Sequence, residues 1–141
     1  MDIRPIDDGY AVSPQITPQD AEAIRAAGFT TVICNRPDGE NPPDLQAEAI
    51  RAAIEGAGLR FVLNPVVGGA ITMENVQAQG AALEAAPGPV LAYCASGNRS
   101  SIVWALALAG TRPTDELVAA GARYGYATEQ FRPMIDQLAR G

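Results

Sequence analysis

The segment Pro89-Val-Leu-Ala-Tyr-Cys94-Ala-Ser-Gly-Asn-Arg99-Ser-Ser101 joins two patterns across one tight turn. Val90–Tyr93 is a short apolar run bounded by turn residues, which reads as a buried strand. Ile102–Ala109 is apolar throughout and reads as a buried helix. The turn between them, Cys94 to Arg99, sits at a helix N-terminus and turns successive backbone N–H groups inward, the arrangement that holds an anion. Gly97 admits the positive φ such a turn needs. Arg99 brings a planar fork of donors matched to two oxygens of a phosphate or sulfonate. Cys94, among these dipoles and beside a guanidinium, is favoured as a thiolate. The segment therefore predicts a nucleophile at the floor of an anion cradle, with Ala95, Ser96, Gly97 and Asn98 as its backbone lining.

Outward from this segment, strands and helices alternate. Tyr10–Val12 reads as an edge strand. Thr17 with Pro18, Asp20 and Gly28 brackets a helix, and Phe29–Cys34 is a β-branched strand. Arg36–Pro43 is a loop rich in Pro, Gly and Asp, followed by a helix capped by Asp44 and running to Ala57. Leu59–Leu63 is a strand, Asn64–Ala70 a loop, and Thr72 caps a helix running to Ala86. Thr114 caps a further helix, and Thr128–Arg140 contains the last. This alternation predicts a single α/β domain over 1–141, with a mostly parallel sheet covered by helices on both faces. Ligands of such sheets sit at the C-terminal strand ends, so the loops Arg36–Pro43 and Asn64–Ile71 are expected to converge on the cradle.

The bulk properties narrow the chemistry. One domain of 141 residues can build a full core without staples. A net charge of −6 argues against a nucleic-acid partner. No run reaches membrane-spanning length, and Met1-Asp-Ile-Arg-Pro5 lacks the form of a signal peptide, so a cytoplasmic protein with no membrane partner is expected. Two cysteines suit a reducing compartment. With no histidine, Ser-His-Asp and Cys-His mechanisms and His-ligated metals are excluded. Neither a metal nor a cofactor is expected. The partner is a small anion, and the sequence leaves the oligomeric state open.

Cys94–Ser100 resembles the active-site loop of cysteine-dependent phosphatases, in which Cys is followed by five residues, Arg, and Ser or Thr. Here four residues separate Cys94 from Arg99, the loop length of rhodanese-type sulfurtransferases. Together with Thr31-Val-Ile-Cys-Asn35, Arg36-Pro-Asp-Gly-Glu40 and Asn64-Pro65-Val66, this resembles the bacterial beta-lactamase-hydrolase-like phosphatase domain. The resemblance implies a dual-specificity-phosphatase-like fold and hydrolysis of a phosphomonoester through a Cys94 phosphocysteine. It also implies that Arg99 stabilises the transferring group and that the Ser100 hydroxyl assists the thiolate.

The Asp that such phosphatases carry some thirty residues before the Cys is missing, because Leu63–Gly69 holds no carboxylate. Asp38, or else Glu40, is the candidate replacement acid, with Arg36 extending the anion site or pairing with one of them. The short loop keeps a second expectation open, sulfur transfer through a Cys94 persulfide from thiosulfate or a persulfide donor. A third is a non-catalytic module that binds an anion or a phospho-residue. Cys34 is expected to be a buried, inert thiol, with a resolving partner for Cys94 as the alternative.

Overall fold

The computed structural model describes residues 1–141. Its sheet runs in the order β1-β2-β5-β3-β4, with β1 Arg4–Asp7, β2 Tyr10–Ser13, β3 Thr31–Cys34, β4 Arg60–Leu63 and β5 Val90–Tyr93. β5 is central, with Val90 opposite Tyr10 of β2 and Thr31 of β3, and these pairings and β3–β4 are parallel. β1 alone is antiparallel, joined to β2 at Asp8-Gly9. The segment Tyr10–Ser13 is therefore an interior strand and not an edge. Its four residues are all buried, and the edge belongs to β1, which carries Pro5 and two charged residues.

Strand alternation sorts the apolar residues into two cores. Val90 and Ala92 of β5, with Tyr10, Val12 and Ile33, face helices α3 (Met73–Ala85), α4 (Asn98–Ala107), α5 (Thr114–Ala122) and α6 (Arg132–Arg140). Leu91 and Tyr93, with Val32 and Cys34, face α1 (Ala21–Ala26) and α2 (Ala47–Gly56). Helices thus cover both faces, as the alternation requires. α4 is buried without a break from Ser100 to Leu106, because α3, α5 and α6 cover its flanks.

Two helix starts differ from the sequence reading. The helix over 47–56 is not capped by Asp44, which lies in a 3-10 turn. Its first N–H, that of Ala47, is received at 2.7 Å by the carboxylate of Asp38 from the preceding loop. Thr114 begins α5 but turns its hydroxyl to Asp136 of α6 at 2.6 Å. Thr72 caps α3 as expected, accepting from the Asn75 N–H at 3.1 Å.

Three strand ends meet at one edge of the sheet. Past β3, the Asn35 N–H donates to the Tyr93 carbonyl at 2.8 Å. Past β4, the Asn64 N–H donates to the Cys34 carbonyl at 2.9 Å, and the Val66 N–H to the Asn35 carbonyl at 2.9 Å. The ladder therefore continues into the loops and fixes where they leave. Leu91, fully buried at the middle of the sheet, tests this frame. Leu91→Ala is expected to cost about 2–5 kcal/mol of folding free energy, read by urea unfolding. A loss under about 1 kcal/mol would mean that the β5 core is not tightly packed.

Candidate active site

β5 delivers Cys94 to the C-terminal end of the central strand, fully buried. The next residues turn at Gly97, whose φ of +97° lies in the left-handed region. The Gly97 N–H points back at the Cys94 sulfur, 3.1 Å away. Ser96 Oγ accepts from the Asn98 N–H at 3.3 Å and tightens the turn. α4 then begins at Asn98, so the cradle does sit on a helix N-terminus. An added Cβ at position 97 would lie 2.3 Å from the Tyr126 hydroxyl and 3.2 Å from Val12 Cγ2. Glycine is thus required there by conformation and by space.

Arg99 is held by its end. Nη1 donates to Glu40 Oε2 and Nη2 to Glu40 Oε1, both at 2.8 Å, and Nη1 also donates to the Val66 carbonyl at 2.8 Å. The loops 36–43 and 64–71 therefore do converge on the cradle, the first through two hydrogen bonds from Arg99 to Glu40 and the second through one to the Val66 carbonyl. A guanidinium has five N–H donors. The three used here leave the Nε–H and one Nη2–H, which lie on one edge, without an oxygen partner in the protein. The Cys94 sulfur is among the groups that favour the charged guanidinium, after Glu40. Glu40 thus fixes Arg99 by one edge and leaves the other toward Cys94.

Glu40 also receives Arg36 Nε at 3.2 Å, while Arg36 Nη1 reaches Gln15 Oε1 at 3.2 Å. Hydrogen bonding to Arg99, with Arg36 adding to it, holds the Glu40 carboxyl below the usual carboxylate range. Glu40 therefore stays ionised. Asp38 is engaged through Oδ1 as the cap of α2, and its Oδ2 has no partner in the protein.

Ser100 is fully buried and donates to Asn35 Oδ1 at 2.8 Å rather than to Cys94. That bond opens a buried polar network which the sequence reading missed. Asn35 Nδ2 donates to Gln79 Oε1 and to the Asn64 carbonyl, each at 2.9 Å. Asn64 Nδ2 reaches the same Gln79 oxygen at 2.9 Å. Gln79 Nε2 donates to the Tyr10 hydroxyl at 3.0 Å, which donates to the Ser100 carbonyl at 2.8 Å. The available signal was two asparagines, each just past a β-branched or apolar strand. Ser101 packs on the other side of α4, where a Cβ at Gly121 would meet its Oγ at 2.6 Å.

Cys34 pairs in register with Tyr93, and both face the α1–α2 core. Cys94 is the next residue, so alternation turns it to the opposite side. Both thiols are free, burial pushes the Cys34 thiol up, and its Sγ donates to the Arg36 carbonyl at 3.3 Å. This geometry favours the buried, inert reading of Cys34 over a resolving thiol.

The sequence profile of the family described as beta-lactamase hydrolase-like protein, phosphatase-like domain, matches residues 2–111. The chain belongs to that family. A beta-lactamase hydrolase-like protein of Xylella fastidiosa is 34% identical over 128 residues, which cover 89% of this chain and 30% of the relative. An Agrobacterium fabrum protein of the same description is 29% identical over 86% of this chain and 28% of its own. The chain thus spans under a third of the length of these relatives. A crystal structure of a candidate phosphatase from Neisseria meningitidis superposes with a TM-score of 0.83 at 35% identity, covering 98% of this chain and 99% of that one. The phosphatase Tk-PTP in its active form matches at a TM-score of 0.77 and 21% identity, over 98% of this chain and 96% of that one, a likeness of fold. The family and the Neisseria neighbour support a phosphatase-like function for the domain. No helix is long and apolar enough to cross a membrane.

If Glu40 positions Arg99, removing its charge weakens anion binding. In a Cys94→Ser background, Glu40→Gln is expected to lower sulfate affinity on the order of tenfold, one charge-assisted hydrogen bond. Calorimetry checks this. With Glu40 present, affinity should hold as pH falls through the ordinary carboxylate range. It should be lost only below that range, where the depressed Glu40 takes up its proton; the Gln variant should lack this step. Tighter binding by the Gln variant would instead make Glu40 a competitor for the cradle.

Proposed function

We propose that the domain hydrolyses a phosphomonoester through a phosphocysteine on Cys94. The observation that supports this best is the pairing of a peptide N–H on the Cys94 sulfur with an Arg99 edge left open beside it. In the first step the thiolate attacks phosphorus, the bond to the ester oxygen breaks, and that oxygen leaves with its electron pair and takes a proton. Arg99 and the backbone N–H groups of Ala95–Asn98 meet the charge on the equatorial oxygens. In the second step water attacks phosphorus, inorganic phosphate leaves, and the thiolate is restored. Ser100, oriented by Asn35, steadies the start of α4 beneath the loop. Asp38 is the proton donor in this reading, through its unpartnered Oδ2, because Glu40 is kept ionised by two arginines. Arg36 and Glu40 line the anion site.

A second reading, sulfur transfer, is favoured by the four-residue spacing and by the demands of the leaving group. The thiolate attacks the outer sulfur of thiosulfate, the S–S bond breaks, and sulfite leaves with the electron pair. No oxygen has to be protonated. The Cys94 persulfide then passes its terminal sulfur to a thiol.

Mass spectrometry of trapped enzyme separates the two, because phosphocysteine adds about 80 Da and a persulfide about 32 Da. Cys94→Ser should abolish turnover of an aryl phosphate. Arg99→Lys should cost about 10²–10³ in kcat/KM, since an ammonium cannot reproduce the fork. Asp38→Asn keeps an oxygen for the Ala47 N–H, so it separates capping from proton donation. It should slow alkyl phosphates strongly, nitrophenyl phosphate little, and thiosulfate turnover not at all. An equal loss on all three substrates would make Asp38 a structural residue only.

A further inference from the structure

The peptide group that faces Cys94 is held from behind. The Ser96–Gly97 bond is trans, so its carbonyl and its N–H point in opposite directions. The N–H meets Cys94 Sγ at 3.1 Å. The carbonyl accepts from the Tyr126 hydroxyl at 2.9 Å, and that hydroxyl accepts from Arg4 Nη1 at 2.8 Å. Arg4 is steadied by two hydrogen bonds from its Nε and Nη2 to Asp2, at 3.0 and 2.5 Å. A second tie runs beside the first, from the Ala127 N–H to Asn98 Oδ1 at 2.9 Å. Tyr126 is buried, 9% exposed, and it lies beyond the residues that the family profile matches.

We propose that Arg4 and Tyr126 form a relay that orients and polarises the Ser96–Gly97 peptide toward Cys94, making Tyr126 a positioning residue for the nucleophile. A cation donating to a phenol makes its O–H a better donor. That O–H, bonded to a carbonyl, makes the N–H of the same amide a better donor in turn, because hydrogen bonds in a chain polarise one another. The direction is fixed at every step, since Arg4 can only donate and the peptide N–H can only donate. The left-handed φ of Gly97 and the absence of a side chain there let the phenol approach this closely. The relay rests on Cys94 acting as a thiolate nucleophile, whichever of phosphorus or sulfur it attacks.

The test reads the thiolate itself, by ultraviolet absorbance against pH in a Cys34→Ala background, with the Cys94→Ser signal subtracted. Charge coupling also reaches Cys94 from Tyr10 of β2, Arg99 of α4 and Cys34 of β3. The first two are unchanged in every variant, and Cys34 is absent from all of them. Tyr126→Phe keeps the ring and removes the donor. Its midpoint for thiolate formation is expected to rise by about one pH unit, a tenfold loss of thiolate below the midpoint. Turnover at that pH should fall in kcat by the same factor and recover at higher pH, which a merely structural role would not produce. Tyr124→Phe, whose hydroxyl binds only the Pro5 carbonyl, should leave the midpoint in place. If Tyr126→Phe does not fold, Arg4→Met leaves the phenol in place and should move the midpoint the same way by a smaller amount. A midpoint unchanged in the folded Tyr126 or Arg4 variants, or moved equally in Tyr124→Phe, overturns the relay. Cys94→Ser turnover judges the nucleophile separately, so a failed relay and a failed mechanism are distinguishable.

Discussion

The bond from the Gly97 N–H to the Cys94 sulfur is the constraint around which the site is built. Cys94 is fully buried, and the Gly97 N–H is the donor that the chain turns toward its sulfur. That peptide turns back on its own strand end through a residue with a positive φ. Gly97 supplies this, and its bare Cα admits Tyr126 behind the loop and Val12 beside it. The placement of Cys94, the left-handed turn and the start of α4 are consequences of a single local geometry.

The three strand ends are fastened together by amide hydrogen bonds. Asn35, Asn64 and Gln79 are almost wholly buried, and each uses both its carbonyl and its amide group. A neutral network of this kind avoids the desolvation cost of a buried ion pair. It also brings no charged side chain into the buried network. Ser100 belongs to it, which explains why its hydroxyl turns inward to Asn35 in this structure. The network sets the relative positions of β3, β4 and α4, and so of the loops that bring Glu40 and the Val66 carbonyl to Arg99.

The alternation of strands and helices was legible because each strand is short, β-branched or continuously apolar, and bounded by Gly, Pro or Asn. The cradle was legible for a different reason: its residues are contiguous, so spacing alone determines their geometry. What the sequence concealed depends on long-range contact. Tyr10–Val12 read as an edge, and nothing local reveals that β1 pairs outside it. Asp44 looked like a cap because it stands near a helix start, whereas the chain uses Asp38 from several residues earlier. Tyr126 and Arg4 lie 30 and 92 residues from Ser96 and Ser96 itself shows no pattern that points to either. Only the folded chain places an arginine, a phenol and a peptide in line.

Charge and geometry pull in opposite directions at the cradle. The protein carries a net −6, so the field at long range repels any anionic substrate, and steering of the kind that speeds association is absent. Screening confines that repulsion to about 8–10 Å at ordinary salt. Inside that distance the donors of one loop decide. Arg99 alone could not do so, because a flexible guanidinium beside a carboxylate settles on the carboxylate with whichever edge is nearest. The Val66 carbonyl adds a third tie. It takes the second Nη1 hydrogen while Glu40 takes the Nη1/Nη2 edge, and in this arrangement the Nε/Nη2 edge is left without an oxygen partner in the protein. The backbone of a loop with no carboxylate of its own thus helps fix how the arginine is turned.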